Sequence, residues 1–169
     1  MTITYRNATP ADAAALDWLF NTSFCDTFAH LYSAEDLNAF LSSFGVADWE
    51  KQLRDPAFSC RIAGADGIPV GYVKLGPLKI PVETDLSSML LDQLYVLKDH
   101  HGSGIAKELM DWALAEARRR GSEALYLTVY IDNHRAKRFY ERYGFEAVGR
   151  YDFMVGNHAD EDIIMRKAL

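Results

Sequence analysis

The sequence holds only two cysteines, Cys25 and Cys60, in separate segments with no partner at metal or redox spacing. A disulfide scaffold is excluded, and two reduced core thiols in a reducing compartment are expected. No apolar run approaches the ~18 residues that a membrane span needs. Arg6 and Asp12 stand where a secretory leader would carry its apolar segment, so a cytoplasmic protein without a membrane partner is expected. A basic excess is missing as well. Eighteen Lys and Arg face 24 Asp and Glu, giving −6, which argues against nucleic acid because phosphate binding needs a basic face. That balance suits a cationic small molecule, or simply a soluble surface. His30, His100, His101, His134 and His158 form no metal-ligand set, so no metal is expected. No histidine is positioned to activate either cysteine as a nucleophile. Repeats, linkers and low-complexity stretches are also absent.

What remains is 169 residues, 49% of them apolar and 12% aromatic. Such a chain buries about 70% of its unfolded surface and supports one domain, residues 1–169, without staples. Ile3 to Arg6 alternates like a strand. Thr9-Pro10 and Ser33-Ala34-Glu35-Asp36 open two helices, and Trp49 and Leu53 mark a further short helical piece. From Phe58 the period becomes two, with a hairpin at Ala65-Asp66-Gly67 and an apolar, central strand from Met89 to Leu97. A helix to about Arg120, a strand Ala124–Tyr130, a helix from about Asn133 to Tyr143 and two closing strands follow. The pattern is α/β (α+β), with a mixed sheet of about six or seven strands and about four flanking helices.

Two elements carry chemistry. Gly102-Ser103-Gly104-Ile105-Ala106 ends a polar loop after the central strand and opens a long helix. Glycines there let backbone N–H groups approach an anion, and the helix dipole favours negative charge. The same Gly-x-Gly also serves as a plain tight turn. It lacks the Lys-Ser/Thr of an NTPase loop and the third glycine of a dinucleotide fingerprint. The second element runs from Asp132 to Phe145. Asn133 and Tyr140 lie two helical turns apart on one face, and Tyr140 alone reads equally as a core aromatic.

Together they resemble the GNAT superfamily of acetyl-CoA-dependent N-acetyltransferases. His101-Gly102-Ser103-Gly104-Ile105-Ala106 occupies that family's Gln/Arg-x-x-Gly-x-Gly/Ala pyrophosphate loop, with His101 in place of Gln or Arg. Asn133, Ala136, Phe139, Tyr140, Gly144 and Phe145 match the family's Asn-x-x-Ala-x-x-Phe-Tyr-x-x-x-Gly-Phe block. The resemblance implies a GNAT-like, mostly antiparallel sheet and acetyl-CoA as co-substrate. It implies cofactor contacts at Leu94, Tyr95, Val96, His101, Gly102, Ser103, Gly104, Ile105, Ala106, Asn133 and Lys137. Backbone N–H groups near Tyr95 and Val96 would hold the thioester carbonyl, and Tyr140 would be the general acid. Phe28…Leu31-Tyr32-Ser33, Leu94-Tyr95-Val96 and Gly149-Arg150-Tyr151…Gly156 are similar to bacterial polyamine (spermidine/spermine) acetyltransferases.

An amine that attacks a thioester directly must lose its proton. Asp92 lies at the same strand parity as Leu94 and Val96, in the region where relatives carry a Glu, and reads either as that base or as an exposed strand-end charge. Tyr32, Glu83 and Asp85 are expected to hold the acceptor, with Asp26 and Glu35 as further candidates, against ordinary solvated charge. The expected partners are acetyl-CoA and a small cationic amine, for a monomer or homodimer. Another amine (an amino acid, a protein N-terminus, an aminoglycoside) and a non-catalytic acyl-CoA-binding module are the competing readings.

Overall fold

The alternating and helical periods resolve, in a computed structural model describing residues 1–169, into seven strands and five helices. The strands are β1 (Ile3–Asn7), β2 (Ser59–Ala65), β3 (Ile68–Pro77), β4 (Ser88–Val96), β5 (Ala124–Tyr130), β6 (Glu146–Val155) and β7 (His158–Ala168). The helices are α1 (Ala13–Phe28), α2 (Ala34–Ser42), α3 (Val46–Arg54), α4 (Ile105–Arg119) and α5 (His134–Arg142). Local chemistry sets the ends. The Ser33 hydroxyl accepts from Asp36 N at 3.1 Å and caps α2, while Gly45 separates α2 from α3. Asn133 caps α5 through Ala136 N.

One sheet runs in the order β1-β2-β3-β4-β5-β7-β6. Every neighbouring pair is antiparallel except β4–β5, which is parallel and pairs only Ser88, Met89 and Leu90 with Ala124, Leu125 and Tyr126. Beyond Leu90 the two strands separate. The cause sits two residues further on. Lys74 pairs with Gln93 and Leu75 with Leu91, so Asp92 is the extra residue of a β-bulge, and a bulge bends its strand and sharpens its twist.

Each sheet face carries its own core. Leu109, Met110 and Ala113 of α4 pack with Leu91, Leu127, Ile163 and Tyr140 on one face. Leu16 and Leu19 of α1 pack with Trp49 and Tyr72 on the other. The β6–β7 turn is drawn onto that second face, where the Asp36 carboxylate accepts from Asn157 N at 2.9 Å.

Candidate active site

Where β4 and β5 part, a cleft of about 580 Å³ opens, lined by Leu91–Val96 on one side and Thr128–Tyr130 on the other. On the β5 side, Leu91 to Val96 keep a backbone edge with no strand partner. The cleft therefore connects the two faces of the sheet, and different chemistry lines each end.

On the α4 face, a 3-10 turn (Lys98–His100) leads into the glycine loop. Gly102 and Gly104 adopt φ of +78° and +86°, a conformation costly for any residue with a Cβ. That conformation leaves the N–H groups of Gly102, Ser103 and Gly104 without partners in the chain, and the first α4 bond is Glu108 N to Gly104 O. These amides join the free N–H groups of the helix start in a concentrated anion-binding surface. Lys98, His100, Lys107, Arg135 and Arg142 line the same end. His101 Nε2 donates to Val96 O at 2.7 Å, which leaves Nδ1 to accept from Arg135 Nη1 at 2.5 Å. Arg135 thus brings a long cation to the loop, whose own residue at this point is the short His101. Unpaired amides ringed by cations fit a polyphosphate such as that of coenzyme A.

Tyr140 stands on the second turn of α5, facing the cleft. Its ring packs edge-on against Phe139 and Phe145, at centroid distances of 5.6 and 6.0 Å. Its hydroxyl makes no hydrogen bond within the chain, and burial pushes the phenol up to about 12. The group is therefore protonated throughout the neutral range and free to donate.

On the opposite face the cleft is aromatic and acidic. Tyr32 stacks on Phe24, with centroids 5.9 Å apart, and its hydroxyl donates to Asp160. Asp160 and Asp162 are 5% and 7% exposed and project from alternate positions of β7 into the cleft. Burial, then the neighbouring Asp160 charge, raises Asp162 to about 7. Asp26 of α1 lies at the cleft wall as well.

Asp92 departs from its sequence pattern. Its bulge turns it away from Leu94 and Val96, which pack on the α4 side, and toward Lys74 at 3.2 Å and Lys79 at 3.5 Å. Lys74 is buried, donates to Gln52 at 2.7 Å and lies 4.4 Å from the Trp49 ring centroid. Burial lowers the Lys74 pKa and the Asp92 charge opposes that shift. Asp92 still lines the cleft, but its carboxylate is committed to two ammonium groups. An Asp92→Asn variant is expected to unfold at lower urea, at a cost of about 3 kcal/mol, because it strands a buried charge. A midpoint equal to that of the parent chain would remove Asp92 from this structural role.

Of the other expected site residues, Leu94, Tyr95, Val96, His101, Gly102, Gly104, Ile105, Ala106, Asn133, Tyr140 and Tyr32 all line the cleft. Ser103 lies in the loop and donates to His100 O. Lys137 is turned from the cleft and donates to Ile131 O at 3.2 Å. Glu83 and Asp85 are exposed in the β3–β4 loop and Glu35 is exposed on α2, all outside the cleft lining. Sequence reasoning missed Asp160, Asp162 and Arg135. The signal for the first two was an acid pair at i and i+2 just before an apolar run. No cluster of three His, Cys, Asp or Glu side chains could hold a metal ion, and no helix is long and apolar enough to cross a membrane.

Comparison with known proteins agrees with this geometry. The sequence model of the Acetyltransferase (GNAT) family matches residues 14–145. An uncharacterized N-acetyltransferase of Mycobacterium tuberculosis is 36% identical over 140 residues, 83% of each chain. The structure of a GCN5-related N-acetyltransferase of Rhodopseudomonas palustris superposes with a TM-score of 0.77 at 28% identity, covering 100% of this chain and 97% of that one. The PaiA N-acetyltransferase of Thermoplasma acidophilum, solved with coenzyme A, shares the fold over 100% of both chains, with a TM-score of 0.80 at 21% identity. With its parted β4 and β5, its glycine cradle and its family match, the chain belongs to the GNAT family and is an acetyl-CoA-dependent N-acetyltransferase.

Proposed function

We propose that the enzyme transfers the acetyl group of acetyl-CoA to a primary amine of a small polycation such as spermidine or spermine. The observation that carries this reading is the division of charge along the cleft. Cations gather on the α4 and α5 side, while Asp26, Asp160 and Asp162 gather with Tyr32 and Phe24 on the other. Carboxylates concentrate cations, and aromatic faces attract ammonium groups at short range. The likeness of the Tyr32 and Gly149-Arg150-Tyr151 segments to polyamine acetyltransferases points the same way.

Acetyl-CoA supplies an activated acyl thioester, and the chain's residues do the rest. Gly102 to Ala106, with Arg135 beside them, hold the pyrophosphate. The open β4 edge near Tyr95 and Val96 aligns the acyl carbonyl, and fixing the two reactants together supplies several kcal/mol of the acceleration. Tyr140 gives its proton to the departing sulfur. Tyr32 and Asp26 border the acceptor. Glu83 and Asp85, outside the cleft, act only through the longer-range field.

An acceptor panel read by thiol release tests the reading. Spermidine is expected to exceed a simple monoamine in kcat/KM by about tenfold or more, with a KM that rises with salt as the attraction is screened. Equal values without a salt effect would contradict it. Preference for an amino acid, a peptide N-terminus or an aminoglycoside would move the acceptor to that class. Acyl-CoA binding with no thiol release over any amine would make the protein a binding module.

A further inference from the structure

Three carboxylates of the sheet reach the cleft, and two of them are already engaged. Asp92 is held by Lys74 and Lys79. Asp160 accepts from the Tyr32 hydroxyl, and His158 Nε2 lies 3.2 Å from it. Asp162 is 7% exposed, forms no ion pair, and faces the cleft on the side of the parted strands away from α4. Its register partner is Tyr130, at the end of β5. A buried carboxylate without a cation is costly to maintain, so this position favours a partner that gives it a proton.

We propose that Asp162 is the proton acceptor for the attacking amine. This rests on the amine-acetylation reading above and names the base for it. The amine enters neutral. As its nitrogen bonds to the acyl carbon, one N–H proton passes to an Asp162 Oδ atom. The C–S bond breaks with its electron pair on sulfur, and sulfur takes the Tyr140 Oη proton. Asp162 then loses its proton to solvent and the Tyr140 phenolate regains one, which leaves amide and thiol with both residues restored. Asp160 is the positioning residue: its fixed partners Tyr32 and His158 set one wall of the pocket, and its charge acts directly on Asp162.

The surroundings of Asp162 keep its proton affinity in the useful range. Thr128 of β5 lowers its proton affinity and the Asp160 charge raises it. Tyr130 of β5, Tyr95 of β4, Tyr151 of β6 and Tyr32 before α2 are all held protonated in part by its charge. Asp92 acts on two of those tyrosines, Tyr95 and Tyr151, and carries its own two lysines. Raised to about 7, Asp162 is a base near working pH, where such groups are most effective.

The test is the pH profile of kcat/KM with acetyl-CoA and spermidine. The parent enzyme needs both a free amine and an ionised Asp162. Its log kcat/KM is expected to climb with a slope near two below about pH 7, then near one above it. Asp162→Asn should lower kcat about a hundredfold and leave a slope near one throughout, and Asp162→Glu should restore part of the rate and the bend. Folding is checked separately. Because the folded state raises this pKa, the wild type loses that stabilisation as pH rises through neutrality. The Asn variant should therefore match or exceed the wild-type Tm at pH 8. An unchanged bend in Asp162→Asn, with the variant folded, overturns the assignment. If another amine of the panel is turned over instead of spermidine, the polycation reading fails and the same profile on that amine decides Asp162. If no amine is turned over, both fail.

Discussion

A Tyr140→Phe variant is expected to lose about a hundredfold in kcat while binding acetyl-CoA as the parent enzyme does. The substitution removes one oxygen and keeps the ring, whose packing against Phe139 and Phe145 holds the start of β6 beneath α5. The lost group makes no hydrogen bond within the chain, so its removal strands no partner. Stability should stay close to that of the parent. What disappears is the donor proposed to meet the sulfur, where negative charge develops as the thioester breaks. A phenol raised to about 12 by burial holds its proton until that charge appears, so the deficit belongs to the transition state and falls on kcat. Pre-steady-state thiol release separates chemistry from product release. An unchanged single-turnover rate would take Tyr140 out of the reaction.

Gly104→Val is expected to abolish the thermal shift that acetyl-CoA produces. A ligand at about a hundred times its Kd adds about 2.7 kcal/mol of stability, a rise of about 5–10 °C in Tm for a chain of this size. At Gly104 φ is +86°, and a Cβ built there meets nothing within 4 Å. Two consequences follow. The side chain has room, so the fold survives, with a loss of about 1–3 kcal/mol from backbone strain. The room it takes, however, is the space through which a pyrophosphate must approach the free amides of Gly102 to Gly104. Gly104→Ala carries similar strain with less bulk and should keep part of the shift. Normal acetyl-CoA binding by the valine variant would place the cofactor elsewhere.

Much of this was legible in the sequence because it is local. The cradle is a strand end, two glycines and a helix start within about ten residues, and the Asn133 cap and Tyr140 share one helix. Period and capping rules act over such distances. Asp92 was misplaced because strand alternation assumes an unbroken period of two, and the bulge at that residue breaks it. A bulge depends on how β3 and β4 pair, which no run of β4 alone encodes. Charge alone recommends Glu83 and Asp85, but the loop that carries them stays outside the cleft. Asp160 and Asp162 went unnoticed because β7 begins at His158, ahead of the apolar run that signalled it. Their meaning also comes from Tyr32, 128 residues away from Asp160. The sheet of seven strands agreed with expectation, and so did the flanking helices, including the short ones that follow Ser33 and Gly45.

The central claim is that the cleft joins an acetyl donor on the α4 side to a polycationic amine on the other. Its most direct test is a mass balance: purified enzyme with acetyl-CoA and spermidine, following free thiol and acetylated amine together. The account predicts one monoacetylated spermidine for each thiol released, and negligible thiol release when spermidine is left out. Thiol release without acetylated spermidine, or at the same rate in its absence, would contradict it.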